Sequence, residues 1–381
     1  MRIQIMNKLP LLFLLLVISA CHNTKSKRTS AEGQDSLSYH VKHIQVPSAD
    51  SVFELNSYNI TDFMNVDTIK GMIAYNYRLH SLDIINLDGK HPVSSIPLQQ
   101  EGPDGVSNRI SGIDFINWDS IWIYDKTAVC LLNKRGEVKN RISMPGSWEK
   151  ILVEANYAIN TAKFTYNQNH HSLLYLAKRD SFVIEEFDVI NQKVVKRYPL
   201  SNSVVNLERA FLYGDMDAPN VTFVTGKVIY NYPYESNIYL LDLDSGKQSI
   251  IDAKSRYTSN EARQCTAKGY SLWERHRIEN VHFYDVMYLS GCDKYVRLHL
   301  SGKEFDANES AQALIDGKDI YMMCFDKDFN LLGESKLENN KYCYYTGWCA
   351  LPDALLMFND NSLSDSVDEN LNMDLIYPCD I

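Results

Sequence analysis

Gly71-Met72-Ile73-Ala74-Tyr75-Asn76-Tyr77, then a short polar break, then Leu82-Asp83-Ile84-Ile85-Asn86-Leu87-Asp88-Gly89-Lys90 read as two apolar, aromatic-rich runs of strand length joined by a turn. The second run ends in the Asp/Gly chemistry of a tight hairpin. The phrase returns at Gly226 as Gly-Lys-Val-Ile-Tyr-Asn-Tyr, followed by Pro-Tyr-Glu-Ser and then Asn237-Ile238-Tyr239-Leu240-Leu241-Asp242-Leu243-Asp244-Ser245-Gly246-Lys247. The two glycines stand 155 residues apart, too far for adjacent copies of so small a unit. Three steps of about 52 residues fit instead, the period of propeller blades. The sequence predicts an all-β, six-bladed β-propeller.

Blade one is expected from Thr61–Val66, Met72–Tyr77, Leu82–Leu87 and Val93–Leu98. Blade two is the clearest: Gly112–Asn117, Asp119–Asp125, Ala128–Asn133, a turn at Lys134-Arg135-Gly136, and Val138–Met144. Each run is short and bounded by polar turn residues. Blade three takes His171–Ala177, Phe182–Val189 and Val194–Leu200, and blade four contains the second copy of the phrase. Third-strand hairpins then fall at Gly89, Gly136, Asn191 and Gly246, in steps of 47, 55 and 55. The next, at Asn330, is 84 further on, so blade five carries a short helical insertion. Thr258-Ser259-Asn260-Glu261 reads as the capped start of a helix through Glu279, and Asn308–Ile315 is a second helical candidate. Blade six, from Gly347, has one strand too few before the end of the chain. His40–Val46 is spare and of suitable length, so it is predicted to close the ring beside the C-terminal strands, removing an open edge.

Residues 1–20 hold Arg2 and Lys8, an apolar run from Leu9 to Ile18, and small residues before Cys21. This reads as an export signal, since the run is about half of what an ~30 Å hydrocarbon core needs. Ile18-Ser19-Ala20-Cys21 resembles the bacterial lipobox, which makes Cys21 the lipid-attachment residue. Several acyl chains on one cysteine would anchor it stably, at roughly 0.8 kcal/mol per buried CH₂. His22 to Ser38 lacks any apolar run and reads as a tether, too polar to fold. Domain limits follow: 1–20 signal, 21–38 acylated cysteine and tether, 39–381 propeller. His22 after the cysteine, rather than Asp, resembles lipoproteins sent to the outer membrane. Lys25, Lys27 and Arg28 stand where surface-exported lipoproteins carry acids, which favours the periplasmic side.

Removing the signal with Arg2 and Lys8 takes 38 basic residues to 36, against 48 acidic, for a formal charge of −12. Nucleic acid is a poor partner for such a surface. Seven cysteines follow Cys21, and an odd number cannot all pair within one chain. Cys130 and Cys324, inside apolar strand runs, read as buried free thiols; Cys343 and Cys349 are spaced to bridge across a bend.

The lipobox, the polar tether, Leu98-Gln99-Gln100-Glu101-Gly102-Pro103-Asp104-Gly105-Val106, Asp119-Ser120-Ile121-Trp122-Ile123 and a strand at the C-terminus resemble a lipoprotein family of gut anaerobic bacteria. That family carries a domain of unknown function and is grouped with six-bladed TolB-like or NHL-like propellers. The resemblance spans residue 40 or so to the end. It implies a fold and an address, and no chemistry.

Five residues outside the lipobox are binding candidates. Glu101 and Asp104 sit on a Gly/Pro-rich turn that suits a cation or polar ligand, or is simply a Pro-Asp-Gly turn between blades. Arg109 precedes the first strand of blade two, near the face where propellers bind. Trp273 and His276 belong to a basic, aromatic insertion able to lid one face or grip an anion, or to act as an amphipathic cap. Asp326-Lys327-Asp328-Phe329-Asn330 opens like a calcium loop but lacks its glycine and closing glutamate, so it reads as an acidic hairpin. His170 and His171 are adjacent and on a strand would face opposite sides. No metal and no cofactor is expected, and sialidase and Gly-x-Ser-x-Gly signatures are absent. The reading is a membrane-anchored, non-enzymatic binding or scaffold propeller, held to lipid by Cys21 and offering one face to a protein or glycan partner. The alternative is a glycan- or peptide-directed hydrolase or lyase with its site at the central channel.

Overall fold

The computed structural model describes residues 37–47, 57–88, 91, 93–125, 128–143, 164–201, 213–214, 216–265, 269–343, 348–361, 363 and 370–378. The signal, Cys21 and the tether through residue 36 lie outside the described residues, as do the Gly89 turn and Cys379. Within these residues the strands form six four-stranded antiparallel sheets. Blade 1 is β2 (Thr61–Val66), β3 (Ile69–Asn76), β4 (Ser81–Asn86) and β5 (Ser94–Pro97). Blade 2 is β6 (Gly112–Asn117), β7 (Ser120–Tyr124), β8 (Ala128–Leu132) and β9 (Val138–Ser143). Blade 3 is β10 (Phe164–Asn167), β11 (Ser172–Lys178), β12 (Phe182–Asp188) and β13 (Lys193–Pro199). Blade 4 is β14 (Asn220–Val224), β15 (Lys227–Asn231), β16 (Ile238–Asp242) and β17 (Gln248–Ile251). Blade 5 is β18 (His282–Leu289), β19 (Lys294–Leu300), β20 (Ile320–Phe325) and β21 (Leu331–Lys336). Blade 6 is β22 (Trp348–Ala350), β23 (Leu355–Phe358), β24 (Leu371–Tyr377) and, outermost, β1 (His40–Val46).

The repeated phrase forms the same hairpin in blades 1 and 4. Asn76 pairs with Ser81 in the first, while Tyr230 pairs with Tyr239 in the second, whose connecting loop is longer. The third-strand turns need one left-handed residue each, supplied by Gly136, Gln192, Gly246 and Phe329. At Gly136 a second constraint applies, because a Cβ there would come within 2.6 Å of the Pro97 carbonyl oxygen of blade 1.

Alternating side chains give each blade two apolar faces, which only a neighbouring blade can cover. Six apolar clusters result, one at each blade junction. The closing junction depends on β1, whose seven residues pair antiparallel with β24 from His40↔Tyr377 to Val46↔Leu371. Leu37, read from the sequence as tether, is instead buried in the cluster between blades 5 and 6. Its amide donates to the Glu334 carbonyl (3.2 Å) and its carbonyl accepts from Ser335 Oγ (2.7 Å).

The helical insertion differs from expectation in extent. Helix α1 (Tyr270–Glu279) starts after Gly269 and precedes β18, and α2 (Ala311–Asp316) lies between β19 and β20. Thr258-Ser259-Asn260-Glu261 caps nothing: Asn260 Oδ1 accepts from Ser255 N (2.7 Å) and Glu261 Oε1 from Tyr213 Oη (2.8 Å), holding that segment as a loop. Ser310 caps α2, accepting from Ala313 N at 3.1 Å. Lys318, just past α2, donates to the carbonyls of Arg277 (2.7 Å) and Asn280 (2.9 Å), satisfying the C-terminal end of α1. Burial, with the nearby Arg277, pushes the Lys318 ammonium down to about 7. Cys130 and Cys324 are buried free thiols. The Cys343–Cys349 bridge is not formed: both remain thiols, and Cys343 Sγ donates to Asp316 Oδ1 (2.9 Å), while Cys292 is disulfide-bonded. Asp326 accepts from the Asp328 and Asn330 amides (2.9 and 2.8 Å), making that segment a hairpin turn.

Candidate functional site

Because consecutive strands run antiparallel, the first-to-second hairpins of the blades, and the third-to-fourth hairpins of blades 1 to 5, lie at one end of the ring. The second-to-third hairpins and the inter-blade linkers lie at the other. All five sequence candidates fall on linkers. Asp104 Oδ1 accepts from the Val138 amide (2.8 Å) and Arg141 donates to the Gly105 carbonyl, so the Glu101–Gly105 turn is tied to blade 2. Glu101 and Arg109 are exposed. Trp273 packs over Gly214, where a Cβ would meet the indole at 3.2 Å. His276 is buried, with Nε2 2.5 Å from the Arg263 carbonyl oxygen. The structure brings Glu101 and Asp104 together on one turn, and Trp273 and His276 on another element. Among the described residues no group of three or more His, Cys, Asp or Glu side chains is placed to hold a metal ion.

The inner strands are stapled blade to blade by side chains. Asp62 accepts from the Phe115 amide (2.6 Å) and Asp114 from the Tyr166 amide (2.6 Å). Asn220 donates to the Phe283 carbonyl (3.0 Å), Trp348 Nε1 to Asp285 (3.2 Å), and Thr61 Oγ1 to the Trp348 carbonyl (3.2 Å). These bonds cover the junctions 1–2, 2–3, 4–5, 5–6 and 6–1. Sequence reading missed them, although a signal was present: Asp62-Phe63 and Asp114-Phe115 stand 52 residues apart. Burial pushes the Asp114 carboxyl up to about 6, against the opposing hydrogen bonds from Tyr166 and Thr165. A raised carboxyl holds its proton more tightly in the folded state, so this group adds stability as pH falls from about 6 toward the ordinary aspartate value near 3.9. A carbon-13 titration should find one aspartate with a midpoint near 6, and Asp114→Asn should remove it.

Among the described residues no such staple joins β10 to β14. Blades 3 and 4 are held further out, where Tyr198 Oη donates to the Leu243 carbonyl (2.7 Å) and Gln248 Nε2 to the Pro199 carbonyl (2.7 Å). A cleft of about 440 Å³ opens at this junction, lined by the 165–170 turn, Glu186, Lys196 and Tyr198 of blade 3 and by 223–226, Leu243 and Asp244 of blade 4. It lies at the hairpin end, opposite the linker candidates. Tyr166 stacks on Trp122 of blade 2 (centroids 4.6 Å), which fixes its ring, and its hydroxyl meets His171 Nδ1 at 3.0 Å. Glu186 Oε1 accepts from Ser172 Oγ (2.9 Å) and His170 Nδ1 (3.2 Å). The adjacent histidines thus serve different partners.

A profile of a domain of unknown function, DUF4221, matches residues 37–336. The chain belongs to this family. The crystal structure of a DUF4221 member from Bacteroides vulgatus covers 88% of this chain and 96% of its own, at a TM-score of 0.68 and 14% identity. That similarity concerns the fold, and the DUF4221 domain described here is accordingly a six-bladed propeller. A chain of the mitotic checkpoint complex aligns over 98% of this chain and 100% of its own, at a TM-score of 0.43 and 10% identity, a level that carries no argument. No curated protein matches the chain. The DUF4221 match begins at Leu37, the first of the described residues, which is packed into the ring.

Proposed function

We propose that this DUF4221 protein is a membrane-tethered, non-enzymatic binding propeller whose ligand or partner engages the cleft between blades 3 and 4. The observation that carries the reading is the polar cleft at the hairpin end of this junction, where, among the described residues, no side-chain bond joins the inner strands. The rival, a hydrolase or lyase at the central channel, would draw on inner-strand carboxylates. Asp62 and Asp114 hold backbone amides of the next blade, which supports binding over catalysis there. The address is the periplasmic side of the outer membrane, through acylated Cys21 and the tether.

Cys21→Ala should move the protein from the membrane fraction to the soluble fraction. Continued membrane retention of that variant would remove the lipid anchor from the account. Co-purification from crosslinked native membranes, with the same variant as control, tests the partner: a stoichiometric protein or glycan retained with the wild type supports binding, whereas turnover of a glycan or peptide by the purified propeller would favour the rival.

A further inference from the structure

Resting on that reading, we propose that the cleft between blades 3 and 4 is a carbohydrate site for neutral, hydroxyl-rich sugar rings. The volume of about 440 Å³ lies within the roughly 300–1,000 Å³ of small-molecule clefts. A protein partner, by contrast, calls for about 800 Å² of contact per side, more than a concave slot between two hairpins presents.

The charges inside are answered from within. Lys196 sits 5.9 Å from the Tyr198 ring centroid, and Tyr198 foremost, with Glu186 and Asp244, holds its ammonium above the ordinary lysine pKa. No net positive field remains to draw a phosphate or sulfate. Glu186, 6% exposed, is already engaged by Ser172 and His170, so it is a poor centre for a free cation. What the walls offer instead are planar amides on Asn167 and Asn169, a fixed carboxylate and an ammonium, all able to pair with vicinal hydroxyls. Tyr198 and Phe223 add aromatic surface beside them. Phe223 and Tyr198 belong to the apolar layer between blades 3 and 4, and the Tyr198 hydroxyl is fixed on the Leu243 carbonyl (2.7 Å), so that ring stands preorganised beside the polar groups.

The test is an array of neutral, uronic-acid-bearing and sulfated oligosaccharides probed with the mature chain, followed by calorimetric titration of the bound sugars. Neutral oligosaccharides should bind with a Kd of about 1 mM or tighter, and Phe223→Ala should weaken them by about tenfold or more. Thr225→Trp, at an exposed turn position lining the cleft, should block binding with the melting temperature unchanged. Preference for sulfated or acidic sugars, no binding at all, or binding untouched by both variants would overturn the proposal. If no sugar binds but a protein crosslinked in native membranes is lost with Thr225→Trp, the carbohydrate assignment falls and the binding reading stands. If Thr225→Trp changes neither, both fall.

Discussion

Deleting residues 37–46 should lower the melting temperature by several degrees or more and broaden the transition, because it removes the fourth strand of blade 6 and opens the ring. Three apolar side chains leave the core with it: Leu37, Ile44 and Val46, 3%, 4% and 0% exposed. Each contributes about 1.5–3 kcal/mol by burial. The deletion also leaves β24 as a bare edge, a template for intermolecular pairing. Leu37 can be tested separately. A Cβ at Gly333 would lie 2.9 Å from Leu37 Cα, so Gly333→Ala should loosen the N-terminal docking while β1 still pairs. Calorimetry on the three proteins decides the matter. An unchanged melting temperature on deletion of 37–46 would remove strand closure from the account.

Asp374→Ala should be the most damaging single substitution in blade 6. The Asp374 carboxylate, fully buried in β24, accepts from Lys341 Nζ (2.7 Å) and Tyr342 Oη (2.6 Å), and meets His43 Nδ1 of β1 (3.0 Å) and Asn359 Nδ2 (3.2 Å). Burial works to raise its pKa, yet the bonds from Lys341, Tyr342 and His43 outweigh burial and leave it depressed. Removing one partner of a buried ion pair costs about 3–5 kcal/mol; Lys341, 28% exposed, places the loss near the lower figure. A depressed carboxyl contributes stability that is present above the ordinary aspartate value of about 3.9 and is lost as pH falls through the lower, folded value. Denaturation from pH 7 downward should therefore show an acid-side loss in the wild type that is absent in Asp374→Ala. Equal acid sensitivity in the two proteins would sink this role for Asp374.

Much of the fold was legible because blades repeat local chemistry. The phrase at Gly71 and Gly226, the four runs of blade 2 and the spare strand His40–Val46 all form as their patterns indicate. The inner strands were harder. β10 and β14 are short and carry polar residues such as Thr165, Asn167, Asn220 and Thr222, so no apolar run marks them. In β18 and β19 the buried polar residues Asp285, Arg297 and His299 break the pattern. Arg297 is wholly buried, donating to the Ser236 and Ala253 carbonyls of blade 4 (2.7 Å each) with Phe283 against its guanidinium. Local sequence at Arg297 contains nothing of those partners. Thr258 to Glu261 mimics a helix cap, and tertiary bonds to Ser255 and Tyr213 override it.

The cleft was illegible for a different reason. Its walls come from Tyr166, Glu186 and Lys196 on one blade and Thr225 and Asp244 on the next, and none of these is unusual in its own stretch. The site exists because hairpin turns of two neighbouring blades flank one junction. Sequence reading instead favoured the glycine- and proline-rich linkers, which announce themselves locally and lie at the opposite end of the ring.

The measurement that tests the account most directly places a photo-crosslinking amino acid at Asn169, on the cleft, or at Arg109, on the linker face, in cells carrying the full chain. Adducts from position 169 and not from 109 are the predicted result. Adducts from 109 alone would contradict it and return the binding face to the linkers.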